Sequence, residues 1–400
     1  MADRHLSPDS RWLLAMLAAL VALGPLSVDM YLPAMPAMKA DLGTSTGAMH
    51  LTLSAYLAGF AIFHLACGPL ADRFGRKPIL TVGTLLFVTG CAGCALSSRI
   101  EELLSFRFLQ GIGACVGPSL ARAIVRDVFG PTRAARALSL IAMLMALAPA
   151  VAPGLGGLML LVLPWASIFV FLAGYGIVMI ILVRRFLPET LPERQSLHPV
   201  AIGRNYGKLL VDPFYLLVTL ASALVYAGLM AYLSSSSFVY IEMLGVPVEY
   251  FGFVFVTAVA GYMAGSAISA RLAARYESEQ LLLMGSSASL AASLIMLAGS
   301  SLLPGSVLVL MLPMMIYSTG LGLVLPHGMA IALRPFPLIA ATASALLGFI
   351  QMSLSAAASG LVGLFLQQSP TPMLWAMVLI NATALVLALR VYQRHRAIRH

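Results

Sequence analysis

The chain has 400 residues, of which 60% are hydrophobic and only 10% are charged, and its formal net charge is +9. Soluble domains carry about 25% charged residues, so this composition excludes an ordinary soluble protein. The apolar runs exceed strand length and lack the alternation of a transmembrane β-barrel, which excludes that class as well. All four cysteines lie inside apolar runs, and Cys91-x-x-Cys94 has no second pair. We therefore expect packing residues, with no disulfide and no metal site.

The apolar runs predict an all-α membrane protein with twelve transmembrane helices. About 20 apolar residues are enough to cross a bilayer as a helix. The predicted spans are residues 12–36, 48–70, 78–97, 101–124, 136–162, 165–186, 214–236, 250–272, 281–300, 306–333, 340–366 and 372–391. A polar connector divides them into two sets of six. The predicted parts are a cytoplasmic N-terminus (1–11), an N-terminal bundle (12–186), a linker on the membrane surface (187–213), a C-terminal bundle (214–391) and a basic tail (392–400).

The basic residues predict how these spans are oriented. With the N-terminus inside, all but three of the 24 lysines and arginines fall in cytoplasmic segments, and the exceptions are Lys39, Arg99 and Arg107. The positive-inside rule therefore predicts that both termini lie in the cytoplasm. The excess positive charge reports this topology, and we expect no nucleic acid partner.

The first span contains a single acidic residue, Asp29. A carboxylate near the middle of a bilayer costs roughly 2.5–3.5 kcal/mol on insertion scales. It must meet a partner or water inside a helix bundle, or take a proton, and a group that does both in turn suits a proton-coupled carrier. Arg107 falls at a similar predicted depth in the fourth span and is the expected ionic partner. Because arginine keeps its proton, Asp29 is the predicted titrating member. The alternatives are a static structural ion pair and an Asp29 wetted near the outer mouth.

A distinctive segment follows the second span, Gly68-Pro-Leu-Ala-Asp-Arg-Phe-Gly-Arg-Lys77. Its glycines suit a tight cytoplasmic turn, and Asp72 can lie against the positive N-terminal end of a neighbouring helix. The segment resembles the signature loop of the major facilitator superfamily. This resemblance implies two pseudo-symmetric six-helix bundles around a central cavity. The corresponding loop of the second half, residues 265–275, keeps a glycine and two basic residues but has no aspartate.

Further motifs resemble a narrower group, the Bcr/CflA family of bicyclomycin/chloramphenicol-resistance drug:proton antiporters. They occupy residues 29–36, 51–60, 107–113, 122–127, 148–157 and 343–351. The resemblance implies export of small amphipathic compounds from a bacterial cytoplasmic membrane, driven by protons and without a cofactor. We expect a monomer whose partners are its small-molecule cargo, protons and the lipid bilayer. His64 departs from the family, which more often has glutamine there.

The resemblance also assigns a cytoplasmic latch between the two halves. Its residues are Gly68, Asp72, Arg73, Gly75, Arg76, Lys77, Arg126 and Asp127. Loop shape and topology alone are the alternative explanation of these residues. A second group predicts close helix packing in spans five and eight: Pro149, Pro153, Gly154, Gly156, Gly157, Gly261 and Gly265. In the family the span-five motif accompanies export, whereas packing alone gives no direction of transport.

Aromatic, methionine and glutamine side chains in several spans are candidate walls of a cargo cavity. They are Tyr31, Tyr56, Phe60, Gln110, Tyr226, Met230, Tyr232, Phe238 and Gln351. Such surfaces suit varied, moderately apolar cargo, although any one of these side chains can instead face lipid. His64 and His327 lie towards the inner ends of their spans. They are candidates either for proton transfer or for structural hydrogen bonds.

Three other functions compete with drug export. The main alternative is a carrier dedicated to one metabolite, such as an amino acid or a nucleoside. An intramembrane enzyme is not expected, because the sequence has no HExxH, no GxSxG on a suitable turn and no clustered ligands. An ion channel would need a filter loop or a ring of charges, and neither pattern is visible.

Overall fold

The computed structural model describes residues 11–125, 127–129, 141, 147–191, 199–366 and 369–399. Within these residues every regular element is helical. The α-helices are α1 (Arg11–Asp29), α2 (Met35–Asp41), α3 (Thr46–Phe74), α4 (Arg76–Leu96), α5 (Ile100–Ala114), α6 (Leu147–Met159), α7 (Ala166–Phe186), α8 (Pro199–Leu210), α9 (Pro213–Ser237), α10 (Phe251–Leu272), α11 (Ser278–Leu302), α12 (Val307–Leu333), α13 (Ala340–Phe365) and α14 (Thr371–Arg399). The predicted all-α class is confirmed.

Eleven helical stretches of the described chain are long and apolar enough to cross a membrane. They are Trp12–Asp41, Thr46–Phe74, Arg76–Leu96, Ile100–Phe129, Ala166–Phe186, Pro213–Met243, Val248–Leu272, Ser278–Leu302, Val307–Leu333, Pro337–Phe365 and Thr371–Ala397. They correspond to eleven of the twelve predicted spans. The predicted fifth span, residues 136–162, lies partly outside the described residues, and its described part contains the 13-residue helix α6.

Large apolar side chains are exposed on the outward faces of the long helices. On α7, Val170, Ile177 and Ile181 are exposed by 60%, 48% and 54%. Extended apolar surfaces of this kind mark contact with a membrane or a partner. In a chain with this many apolar helices, we attribute them to contact with the hydrocarbon of the bilayer.

Two helices differ from their predicted extents. The first span is interrupted, because α1 ends at Asp29 and a 3-10 turn, Leu32–Ala34, leads into α2. The tight turn predicted over residues 68–77 is confined to Gly75. α3 continues through Phe74 in spite of Pro69, and Gly75 alone has a φ of +106° before α4 begins. That backbone conformation favours glycine.

The chain divides into two compact units. Unit 1 contains Met1–Gly43 and Ala55–His198, and unit 2 contains Thr44–Ser54 and Pro199–His400. The first turns of α3, which the sequence assigns to the N-terminal bundle, therefore belong to unit 2. The pair of pseudo-symmetric bundles stays a prediction.

Within unit 1, the backbones of α3 and α5 lie very close together. A Cβ atom added at Gly59 of α3 would collide with the carbonyl of Phe108, and one at Gly111 of α5 would collide with the carbonyl of Tyr56. Small residues allow membrane helices to approach in this way. The crossing brings the Tyr56 side chain against α5, where Arg107 lies.

Within unit 2, tyrosine hydroxyl groups join neighbouring helices. The Tyr215 hydroxyl donates to the Ala343 carbonyl at 2.6 Å, which links α9 to α13. The Tyr317 hydroxyl of α12 donates to the Val225 carbonyl of α9 at 2.6 Å. Buried tyrosines need such partners, because an unpaired hydroxyl in an apolar interior is costly.

Candidate functional site

The guanidinium of Arg107 is completely buried in unit 1. Its Nη1 donates to the backbone carbonyl of Ser27 at 3.3 Å and to Oε1 of Gln110 at 2.6 Å. The ring centroids of Tyr31 and Tyr56 lie 4.2 and 4.5 Å from its Cζ atom. Cation–π contacts and neutral oxygens therefore surround this charge.

Asp29 is the last residue of α1 and is only 5% exposed. Two residues close to it in sequence, Ser27 and Tyr31, both touch Arg107. Among the described residues, however, no ion pair joins Asp29 to Arg107. The guanidinium contacts Ser27, Gln110 and the tyrosine rings instead.

Two nitrogen atoms of Arg107, which together carry three N–H donors, remain unused. Its Nε and Nη2 atoms are buried and have no hydrogen-bond partner within the described part of the chain. A buried unpaired donor costs about 1–3 kcal/mol, and more when the group is charged. The Arg107 site thus contains a cation whose free N–H groups can donate to a carboxylate or to another acceptor.

Gln110 anchors this site to a third helix. Its Oε1 accepts from Arg107, and its Nε2 donates to Sγ of Cys91 on α4 at 3.0 Å. A Cβ atom added at Gly90 of α4 would meet the Gln110 backbone, so α4 and α5 are in close contact here. Four of the predicted functional residues therefore converge in one cluster: Arg107, Gln110, Tyr31 and Tyr56.

A row of rings extends from this cluster along α3. Tyr56, Phe60 and His64 are spaced four residues apart and share one face of the helix. The ring centroids of Tyr56 and Phe60 are 6.5 Å apart, and those of Phe60 and His64 are 5.9 Å apart and stacked. The row ends where Nδ1 of His64 lies 3.5 Å from Sγ of Cys115.

Ion pairs link residues of the predicted latch within unit 1. Nη1 of Arg76 lies 2.6 Å from Oδ1 of Asp72, and Nε of Arg76 lies 3.3 Å from Oδ2 of Asp127. Arg76 therefore bridges the end of α3 and the segment that follows α5. The predicted latch residue Arg126 lies outside the described residues.

Glu189 is a functional candidate that the sequence analysis placed only in the linker. Its carboxylate accepts from the backbone N–H groups of Arg76 at 2.9 Å and Lys77 at 3.2 Å. An acid at this position stabilises the N-terminus of α4. The sequence favoured Asp72 for such a role, but Asp72 pairs with Arg76. The linker has no periodicity that would have pointed to Glu189.

Residues 17–360 match the Major Facilitator Superfamily. The chain belongs to this superfamily. It is 35% identical over 355 residues to the MFS-type transporter YdgK of Bacillus subtilis, with coverage of 87% of this chain and 88% of that protein. It is 32% identical over 361 residues to the multidrug resistance protein MdtL of Vibrio parahaemolyticus, with coverage of 87% of both.

Solved structures of the superfamily have the same fold. A D-xylose-proton symporter superposes with a TM-score of 0.73 at 13% identity, over 96% of this chain and 98% of that one. A bacterial homologue of the lysosomal transporter Spinster superposes with a TM-score of 0.74 at 18% identity, over 98% of both chains. At such identities the likeness establishes the fold alone.

The predicted cavity residues of unit 2 lie in varied environments in this superfamily member. Tyr232 is buried, and its hydroxyl is 2.7 Å from that of Tyr240. Phe238 is buried and stacks on His50. Met230 is also buried, with 5% of its surface exposed. Tyr226 and Gln351 are half-buried. Their assignment to a cavity stays a prediction.

The predicted packing glycines make close backbone contacts. A Cβ atom at Gly156 of α6 would meet the carbonyl of Met30, the residue after Asp29. Cβ atoms at Gly261 and Gly265 of α10 would collide with the carbonyls of Met315 and Thr319 on α12. Pro149, Pro153, Gly154 and Gly157 also lie on α6. The glycine-rich helix α6 thus packs against the backbone of Met30, the residue that follows Asp29.

A second polar cluster lies at the cytoplasmic end of unit 2 in the predicted topology. Its acids are Glu277 and Glu279. Nε2 of His395 lies 2.9 Å from Oε2 of Glu277, and Nδ1 of His395 lies 3.5 Å from Oε1 of Glu279. Nη1 of Arg334 lies 3.0 Å from the same Glu279 oxygen. Oxygen and nitrogen atoms of Glu277, Glu279 and His395 lie within 4.8 Å of one another, as metal ligands would. Because Arg334 and His395 already serve as partners, we interpret the cluster as structural.

His327, a candidate for proton transfer or structural hydrogen bonds, also has a structural role, since its nitrogens face the hydroxyls of Ser269 at 2.9 Å and Ser278 at 3.2 Å.

Proposed function

We propose that this protein is a proton-coupled exporter of small amphipathic compounds, of the chloramphenicol or bicyclomycin kind. We assign it to the Bcr/CflA branch, in a bacterial cytoplasmic membrane with both termini inside. Relatives named multidrug resistance protein MdtL support export of drugs. The distribution of basic residues supports the orientation.

The observation that carries the proposal is the pair of unused donor nitrogens on Arg107, together with a buried Asp29 whose sequence neighbours Ser27 and Tyr31 both touch Arg107. A carboxylate at Asp29 would satisfy these donors if the two side chains met. Arginine does not release its proton at any accessible pH, so Asp29 is the group that gains or loses one. The two residues therefore have two arrangements: a proton on Asp29 with the side chains apart, or an ionised Asp29 paired with Arg107.

The transport cycle follows from these two arrangements. Ionised Asp29 admits the cargo from the cytoplasm, and reorientation exposes the site outside. A proton then displaces the cargo, and the neutral site returns to face the cytoplasm. A ligand shifts an equilibrium only by its differential affinity for the two states, and mutually exclusive binding of cargo and proton supplies that difference.

Aromatic side chains around Arg107 suit the proposed cargo. Tyr31, Tyr56 and Phe60 supply flat apolar surfaces next to a fixed positive charge. Sites for small molecules combine such apolar walls with a few polar groups that fix orientation. A planar compound with a hydrogen-bond acceptor matches this combination.

The proposal is tested by transport into proteoliposomes with an imposed pH gradient. Asp29→Asn should insert normally but lose chloramphenicol transport driven by the gradient. The matched control is Asp41→Asn, because Asp41 accepts from Nε1 of Trp165 at 2.7 Å and asparagine can still accept there. Full transport by Asp29→Asn would reject the cycle.

Resistance profiling of expressing cells tests the class of cargo separately. Cells expressing the wild-type protein should tolerate several unrelated compounds, and cells expressing Asp29→Asn should not. Tolerance of none would favour the dedicated metabolite carrier.

A further inference from the structure

The first turns of α3 pack tightly against α13 within unit 2. We call this contact the α3–α13 seam, and it consists of Gly47, His50 and Ser54 of α3 with Ala356, Ser359, Gly360 and Gly363 of α13. The Ser54 hydroxyl donates to the Ala356 carbonyl at 2.8 Å. A Cβ atom at Gly47 would lie 3.1 Å from the Gly363 carbonyl, so the two backbones almost touch.

A histidine lies at the centre of the seam. His50 is completely buried, and its Nδ1 is 3.1 Å from the Ser359 carbonyl. A carbonyl only accepts, so Nδ1 carries the proton of the neutral ring. The other nitrogen, Nε2, is buried and has no hydrogen-bond partner in the described residues.

No acid faces this ring in the described residues. α13 contains no charged or titratable side chain, and neither do the turns of α3 around His50. On the remaining contact element, Phe238–Met243, Phe238 stacks on the imidazole with centroids 5.6 Å apart. That element also contains Tyr240, whose hydroxyl is hydrogen-bonded to that of Tyr232, and Glu242, which is exposed. Gly363 leaves no spare volume, because its Cβ would collide with the imidazole.

We infer that His50 is a proton-binding residue whose protonation separates the first turns of α3 from α13. A second proton would turn Nε2 into a buried, charged donor without an acceptor. Such a group is strongly unfavourable in an apolar interior. The closed seam therefore accepts only the neutral ring, and the protonated ring needs water, which it reaches when the seam opens.

The sign of the pH dependence follows from this linkage. Opening takes up one proton, so the closed seam is most stable above the ordinary imidazole pKa of about 6.5. Below that pH, the closed-to-open ratio falls by up to about tenfold per pH unit. The inference rests on the proposed orientation, in which α3 begins at the outer, more acidic side of the membrane. There, an acid-opened seam would favour the state in which a proton displaces the cargo.

Hydrogen exchange of residues 46–54 in the full chain tests the inference without any cargo. After correction for intrinsic exchange rates, wild-type protection should fall on the order of tenfold between about pH 7.5 and about pH 5.5. His50→Asn is the matched variant, because its amide can still donate to Ser359 but cannot take a proton. Its protection should be the same at both pH values. His327→Asn, in which the altered ring contacts two serine hydroxyls, should keep the wild-type pH dependence.

Gly363→Ala provides a second line of evidence. Its added methyl group would collide with the imidazole, so residues 46–54 should exchange rapidly at both pH values. A pH-independent wild type, a His50→Asn variant that keeps the pH dependence, or a fully protected Gly363→Ala variant would each overturn the inference. These measurements report the seam alone, so they stay informative if Asp29→Asn transports normally and the proposed cycle fails.

Discussion

Arg107 in unit 1 and Glu279 in unit 2 are both almost completely buried charges, but their surroundings differ. Glu279 is 1% exposed and faces Arg334 and His395. Arg107 is fully buried, and its contacts are neutral oxygens and tyrosine rings, with two donor nitrogens left without a partner in the described residues. A satisfied buried charge holds helices in one arrangement, whereas an unsatisfied one favours a second arrangement in which it finds its partner. This contrast separates a structural site from a candidate switch.

The largest expected effect is on the switch. Arg107→Gln should insert but lose gradient-driven chloramphenicol transport by at least about 100-fold, because the proposed cycle forms a buried charged pair with Asp29, and removing one member of such a pair costs about 3–5 kcal/mol. Arg99→Gln is the control, since Arg99 is 73% exposed at its side chain. Initial transport rates in proteoliposomes, normalised to inserted protein, provide the measurement. Near-normal transport by Arg107→Gln would remove the contrast with Glu279.

The crossing of α3 and α5 that positions Arg107 should be almost as sensitive. Gly111→Ala places a methyl group against the Tyr56 carbonyl, and overpacking of this kind costs about 1–3 kcal/mol or more. The melting temperature in detergent should fall, and so should the transport rate. Gly174→Ala is the matched control, because a Cβ atom there would have nothing within 4 Å beyond the adjoining backbone of its own helix. Equal melting temperatures for the two variants would contradict the close crossing.

Glu279→Gln should affect stability without affecting coupling. The substitution weakens the pairs with Arg334 and His395, for an expected loss of about 1–3 kcal/mol. Arg334 is 55% exposed at its side chain and can be solvated when its partner is lost. We expect a lower melting temperature and a normal pH dependence of transport per inserted molecule. An altered pH dependence would mean that the unit 2 cluster is also a switch.

The smallest effect is expected at the N-terminus of α4. Glu189→Gln keeps the hydrogen-bond acceptor but removes the charge that faces the helix dipole, for a loss of about 0.3–1 kcal/mol. The melting temperature should fall slightly, and added salt should reduce the difference from wild type. A large drop in transport would instead give Glu189 a direct part in the proposed latch.

The sequence predicted much of this arrangement because charges in apolar runs are rare. Asp29 and Arg107 stand out for that reason, and their matched depth is reflected in the contacts of Ser27 and Tyr31 with Arg107. The helix class and eleven of the spans follow from hydropathy. In contrast, the partners that Arg107 selects depend on side-chain conformations in the folded unit, which no spacing in the sequence encodes.

Other residues were missed for identifiable reasons. Glu277 and Glu279 lie just before the predicted ninth span, and their signal was a capping box in which Glu277 and Gln280 cap α11. His50 lies inside an apolar run, and its proposed role depends on the packing of the first turns of α3 in unit 2. Such long-range packing is invisible to periodicity.

Proton release on cargo binding tests the central claim most directly. Chloramphenicol is added to the purified protein in weak buffer with a pH indicator, at a pH where Asp29 is partly protonated. If cargo and proton exclude each other at Asp29, the wild type should release up to about one proton per bound molecule, and Asp29→Asn should release none. Binding without proton release in the wild type, or equal release by Asp29→Asn, would contradict the account.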